Sequence, residues 1–404
     1  MDFLEKKFAK LGAENAPGQE GRQKIKEIEM RGEKLTGTPV DFSHGDVDAF
    51  EPIPGSLDDF IEGVHIGGKQ AYTEYRGSKT IREDTAQKLA QFTGANIDAD
   101  QNLIITPGTQ GALFLAMGST VARGDKVAIV APDYFANRKL VEFFDGEVVP
   151  VKMDYFDTTT GAGLDLTQLE DAFKAGVRLF LFSNPNNPTG VIYSEDEING
   201  IGKLAQQYGV TVIADELYSR QIFEGKTYTH LCAQNTIDPE KVLTIMGPSK
   251  TESLSGYRLG VAFGSSEIID RMEKLQAIVS LRAGGYSQAV MKSWFSEPEG
   301  WMAERIAQHQ AIRDDLLTTL RTADGFKVRA TEAGSYLFPR IPELDITIEE
   351  FVKVLRLQAG VIVTPGTEFG SQFTDSFRIN FSQDHKAAVA AMERLVKIVE
   401  LYRL

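Results

Sequence analysis

Ser183-Asn184-Pro185-Asn186-Asn187-Pro188-Thr189-Gly190 follows directly on an apolar stretch that ends at Phe182. Two prolines and a glycine enforce a tight, rigid turn, and asparagine side chains offer donors and acceptors together. Read alone, the octapeptide is as much a surface turn as a binding loop. Its setting says more. The run before it, Arg178 to Phe182, has counterparts at Val127 to Val130, Val210 to Ala214, Val242 to Met246 and Val261 to Phe263, set among turn signals and helical segments. Continuous apolar runs alternating with helices predict an α/β fold with a mainly parallel sheet covered on both faces. Ligands gather at the carboxyl ends of such strands. The residues just past each run are therefore the candidates for chemistry.

Asp215-Glu216-Leu217-Tyr218 follows Val210 to Ala214. A carboxylate there lies deep in the crevice and needs a partner, either a structural arginine or a cationic ligand atom. After Val242 to Met246 comes Gly247-Pro248-Ser249-Lys250-Thr251-Glu252-Ser253-Leu254-Ser255-Gly256-Tyr257-Arg258-Leu259-Gly260. A lysine in a small-residue loop beyond a strand becomes a usable nucleophile when desolvated or set near another cation. Arg258, across a glycine-containing turn, suits a bidentate grip on a phosphate. Thr106-Pro107-Gly108-Thr109-Gln110-Gly111-Ala112 turns a strand into a helix, and free amides at a helix start favour an anion.

The whole chain narrows the classes. Its 404 residues suffice for roughly two to three domains. A formal charge of −14 disfavours nucleic acid and anionic membranes as partners, since no basic run offsets it. One cysteine, Cys232, allows no intrachain disulfide or cysteine-based metal cluster and suits a reducing, cytoplasmic setting. No apolar run approaches the roughly 20 residues needed to span a bilayer. Helical spacing marks Arg22 to Arg31, Ile81 to Phe92 and Ala112 to Val121. Past Tyr286 the pattern changes. Long amphipathic stretches (Trp301 to Leu320, Ile348 to Leu357, Lys386 to Tyr402) enclose short strands at Gly334 to Phe338, Val361 to Thr364 and Ser376 to Phe381, which predicts a smaller α+β domain.

The order and spacing of these segments resemble the fold-type I pyridoxal-phosphate enzymes, the aspartate-aminotransferase-like class I/II group, from about Asp41 to the end. The Asn-Asn-Pro-Thr-Gly turn, Asp-Glu-Leu-Tyr, and Ser-Lys followed by Gly-Tyr-Arg-Leu-Gly carry the likeness. It implies an N-terminal segment (1–46) packing with the small domain, a large cofactor domain (47–290) and a small C-terminal domain (291–404). It implies Lys250 as the Schiff-base lysine and proton shuttle, and Asp215 on the pyridine nitrogen. Asn187 and Tyr218 would bond the phenolic oxygen, with Tyr134 stacked on the ring. Gly108, Thr109, Gln110 and Arg258 would hold the phosphate, joined by Tyr72 from a neighbouring subunit in a homodimer with shared active sites. Arg378 would grip the substrate carboxylate, with Gly45 and Asn187 lining that side. No metal is implied.

The same likeness implies a ping-pong aminotransferase taking an L-amino acid and a 2-oxo acid, with aspartate, glutamate or aromatic amino acids as candidate donors. A β-eliminating lyase or related α-carbanion enzyme is the alternative on one scaffold; the effector domain of a regulator would need a DNA-binding extension that is not seen here. Departures bear on specificity. Gly247 stands where many relatives carry serine, and His44 where many carry a small or aliphatic residue. Arg282, in Leu281-Arg282-Ala283-Gly284-Gly285, loosely resembles the arginine that reaches a distal carboxylate across a dimer; a plain surface arginine is its other reading.

Overall fold

The computed structural model describes residues 2–12, 20, 25, 28–45 and 49–404. Its strands, in chain order, are β1 (Val40–Asp41), β2 (Leu103–Pro107), β3 (Lys126–Ala131), β4 (Glu147–Lys152), β5 (Leu179–Ser183), β6 (Thr211–Asp215), β7 (Val242–Met246), β8 (Leu259–Gly264), β9 (Tyr336–Leu337), β10 (Val361–Ile362), β11 (Thr364–Pro365) and β12 (Phe377–Asn380). A seven-stranded sheet runs in the order β2-β8-β7-β6-β5-β3-β4. It is parallel except at β8, which lies antiparallel to both β7 and β2. The carboxyl ends of β2, β3, β5, β6 and β7 therefore share one edge with the amino end of β8.

Side chains along β5 alternate between two cores, as a strand buried on both faces requires. Leu179 and Leu181 pack with Leu113, Ala116, Ile269 and Met272 from the helices Gly108–Thr120 and Ser266–Val279. Phe180 and Phe182 point the other way, onto Leu169, Phe173, Ile198 and Ile201 from Leu166–Lys174 and Glu195–Tyr208. A further core gathers Val40, Phe42 and Phe50 with Leu316, Leu320, Phe351, Phe377, Ile379 and Leu395. It is built on the helices Trp301–Thr322, Ile348–Ala359 and His385–Tyr402, with the antiparallel sheet β11-β12-β9 and the parallel pair β1-β10.

Local details depart from the sequence expectations. Only part of Arg22 to Arg31 lies within the described residues, and 28–31 are not helical; the Arg31 amide donates to the Tyr402 hydroxyl at 2.7 Å. A helix instead occupies Phe3–Leu11, started by a capping box in which Asp2 and Glu5 each accept the other's amide at 2.8 Å. The strand expected over Val361 to Thr364 is two, because the chain changes partner at Val363, from β1 to β12. That expected over Gly334 to Phe338 contracts to β9, since Gly334 sits at φ +69 and its amide bonds Gln221 instead of a neighbouring strand. The domain boundary expected at 46 falls outside the described residues.

Candidate active site

One cleft of about 740 Å³ opens along the shared strand edge, and Thr109, Gln110, Tyr134, Asn187, Asp215, Tyr218, Lys250 and Arg378 all line it. Each stands where a strand gives way to a loop or helix, except Arg378, which comes from β12 of the smaller sheet. Lys250 is partly exposed; its carbonyl accepts the Ser253 amide at 3.1 Å, while its side-chain amine makes no hydrogen bond or ion pair among the described residues. Asp215 ends β6; its Oδ1 accepts the Leu217 amide at 3.2 Å, and among the described residues no cation pairs with it. Burial pushes its pKa up to about 6, and the neighbouring Glu216 adds to the rise. Glu216 is itself buried and lies 2.5 Å from His230 Nδ1.

The turn after β5 is held from beneath by Asp133. Its Oδ1 accepts the Ser183 hydroxyl at 2.6 Å and its Oδ2 the Ser183 amide at 3.0 Å. Ser183 Oγ in turn accepts the Asn187 amide at 3.0 Å. Asn186 closes the loop by accepting from the Thr189 amide and hydroxyl. The Asn187 side chain is thus presented to the cleft by a turn bonded through Asp133, Ser183 and Asn186. Burial raises Asp133 to about 7.

Close backbone approach shapes the ground beside Thr109, where Gly108 and Arg258 stand next to the cleft without lining it. Gly108, at φ +77, begins the 13-residue helix Gly108–Thr120, and a Cβ there would lie 2.5 Å from Arg258 Nη2. A Cβ on Gly260 would meet the Thr109 amide nitrogen, and one on Gly247 would lie 2.8 Å from Thr109 Cγ2. Glycine at 247, flagged as a departure, therefore has a steric cause: the Thr109 methyl occupies the space a serine would need. Arg258 adopts the left-handed conformation (φ 55) and anchors one N–H on the Ser255 carbonyl at 2.8 Å, leaving its other edge toward the helix start. An arginine above free helix-start amides is an anion cradle. Tyr134 lies alongside, donating to Gln110 Oε1 at 3.0 Å.

Arg378 is 4% exposed. Its Nη1 donates to Asn187 Oδ1 at 3.0 Å and its Nη2 to the Ser43 carbonyl at 2.6 Å, while Nε is buried without a partner. The rings of Tyr336 and Phe369 lie 4.6 and 5.0 Å from the guanidinium carbon.

Not every predicted residue reaches the cleft. Gly45 borders an adjoining cavity that Lys250 shares, and His44 lines the cleft with its side chain half exposed. Tyr72 is 81% exposed and Arg282 stacks 5.3 Å over its ring; neither touches the cleft of its own chain. Sequence reasoning missed Ser43, Asp133 and Tyr336. Asp133 carried a readable signal, a carboxylate just past an apolar run, like Asp215. Burial drives the Cys232 thiol up to about 12, and the residue does not line the cleft.

The sequence pattern of the family described as Aminotransferase class I and II matches residues 41–395. An aspartate aminotransferase from Sulfolobus acidocaldarius is 28% identical, over 82% of this chain and 83% of that protein. The crystal structure of an aspartate aminotransferase from Rhodobacter sphaeroides 2.4.1 superposes with a TM-score of 0.94 at 65% identity, covering 99% of this chain and 100% of that one. An aromatic aminotransferase from Pyrococcus horikoshii shares the fold at a TM-score of 0.81, with 22% identity over 90% of this chain and 96% of that one.

Proposed function

The chain belongs to the class I and II aminotransferases and is an enzyme of amino transfer; we propose that it holds pyridoxal phosphate covalently through Lys250 and takes aspartate or glutamate as its preferred amino donor. The observation that carries this reading is an amine and a carboxylate, Lys250 and Asp215, lining one cleft with no charged partner for either.

The residues present fit the cofactor. Asp215, a carboxylate raised by burial and lacking a cation, suits a protonated pyridine nitrogen. The Gly108–Thr109–Gln110 helix start with Arg258 suits a phosphate, and Tyr134 suits the face of a flat ring. Asn187 and Tyr218 stand ready for a phenolic oxygen. When bound, pyridoxal phosphate supplies the electron sink that makes an amino-acid α C–H bond breakable.

The chain's own groups would do the rest. Arg378 takes the α-carboxylate on a guanidinium already aimed by Asn187 and Ser43, which fixes the α-carbon over Lys250. The Lys250 amine would be the base that takes up the α-proton and later gives it back. Asp215 holds its opposing charge throughout. Departure of the 2-oxo product and entry of a second oxo acid give ping-pong kinetics. A β-eliminating lyase is not favoured, since the relatives are named for amino transfer.

The preference for an acidic donor follows the relatives' names and the placing of Arg282. We further propose a homodimer with shared sites, in which Tyr72 and Arg282 reach the partner's cleft. Supporting this, Ile278 and Leu281, within four residues of Arg282 in the chain, are exposed apolar side chains. We also propose a domain division at 46 and 290; it is supported by the core that joins Val40 and Phe42 to residues of 312–402, a core that Phe50 and Phe223 of the large domain also enter. A single cysteine supports a cytoplasmic setting. Among the described residues, no helix is long and apolar enough to cross a membrane.

The test is rapid-mixing absorbance of the yellow enzyme with single amino acids. Bleaching of the visible band by aspartate, restored by a 2-oxo acid and lost in Lys250→Ala, is expected. Ammonia release from one amino acid without any oxo acid would overturn amino transfer at this site.

A further inference from the structure

Tyr336 touches both halves of the cleft. Its hydroxyl lies 2.6 Å from that of Tyr218, and the two rings meet edge to face at 5.3 Å and 76°. Both residues are 4% exposed. Tyr336 sits on β9, paired with Asn380 of β12 two residues beyond Arg378, whose guanidinium carbon lies 4.6 Å from the Tyr336 ring. Tyr218 lies in the loop after β6. The charged and titratable groups lining the same cleft are Arg378, Lys250, Asp215, Tyr134 and His44.

A phenol has one proton to give, so only one of the two hydroxyls donates in this contact. If Tyr218 gives its proton to the phenolic oxygen of the cofactor, Tyr336 must be the donor to Tyr218. We infer that Tyr336 is a positioning residue that fixes the direction of the Tyr218 proton and, through it, holds down the pKa of the Lys250–cofactor linkage. This rests on the reading of Lys250 and Tyr218 given above. Hydrogen bonds in series polarise one another, so Tyr218 becomes a stronger donor when it accepts from Tyr336. Stronger donation to the phenolic oxygen competes with the proton on the linkage, which then leaves at lower pH.

The experiment titrates the visible band of pyridoxal-phosphate-loaded wild type, Tyr336→Phe, Tyr218→Phe and the double variant against pH, with melting curves as a check on folding. Tyr336→Phe should move the midpoint up by about half a pH unit. Tyr218→Phe should move it further, and the double variant should match Tyr218→Phe alone. An unmoved midpoint in Tyr336→Phe beside a shifted Tyr218→Phe reduces Tyr336 to packing and overturns the inference. Additive shifts overturn it too, since Tyr336 would then act without Tyr218. If Tyr218→Phe itself changes nothing, the reading of Tyr218 has failed and the inference falls with it.

Discussion

Arg378 donates through Nη1 to the side-chain oxygen of Asn187 at 3.0 Å, which ties a strand of the smaller sheet to the turn after β5 of the large one. One asparagine thereby faces the proposed ring position and orients the proposed carboxylate clamp. A guanidinium that already spends Nη1 on Asn187 and Nη2 on Ser43 is held flat in the cleft.

Arg378→Lys keeps the charge and loses that plane. A lysine cannot satisfy Asn187, Ser43 and a carboxylate together. The KM for both amino acid and oxo acid should rise roughly 10- to 100-fold, the worth of a charged hydrogen bond, with a smaller change in kcat. Steady-state kinetics with both substrates varied checks this.

Asp215→Asn should act oppositely on the cofactor-free and loaded protein. In the free protein Asp215 titrates near 6, above its unfolded value of 3.8, so the folded state holds its proton more tightly. That contribution to stability is full below about pH 4 and is lost as pH rises past 6. The asparagine variant escapes the loss and should gain at most about 3 kcal/mol over wild type between pH 4 and 8. Urea denaturation of the cofactor-free proteins at both pH values measures it. With cofactor bound, the same variant should lose activity and cofactor affinity.

Gly247→Ser should destabilise the protein by roughly 1–3 kcal/mol through overpacking against Thr109 Cγ2. Thr109→Ser removes that methyl, so the double variant should recover part of the loss. A double-mutant cycle in thermal melts gives the coupling; simple additivity would mean the steric account is wrong.

Mixing Lys250→Ala with Tyr72→Ala subunits should restore activity that neither homodimer shows. One hybrid site then carries both an intact lysine and an intact tyrosine, giving about a quarter of the wild-type rate from a random mixture. Arg282→Ala should raise KM for aspartate at least about tenfold and leave a monocarboxylic amino acid unaffected, as expected of a lost charge pair.

The inner strands β3, β5, β6, β7 and β8 were legible because a strand buried on both faces must be apolar throughout, whereas β4, at the sheet edge with Glu147 and Lys152 exposed, was not expected. The helix at Phe3–Leu11 was not expected: Asp2 and Glu5 form its capping box, but a single nine-residue helix in a polar stretch is a faint signal. Tyr336 could not be read. Its importance lies in where β9 brings a hydroxyl relative to Tyr218, some hundred and twenty residues away, and no local pattern encodes that distance. Nor could the reversal of β8 be seen, although it is what carries Arg258 to the strand edge: the residue precedes its strand, where the other candidates follow theirs.

The Ser43 carbonyl and Arg378 belong to opposite ends of the chain, with every residue of the anion cradle and Lys250 between them. A ribosome adding roughly 5–20 residues per second completes the cradle and the lysine on the order of ten seconds before it reaches Arg378. For that interval the growing polypeptide owns its cofactor groups and lacks its carboxylate clamp. Translation order alone thus sets the residues proposed for the cofactor in the chain before the one proposed for the substrate carboxylate.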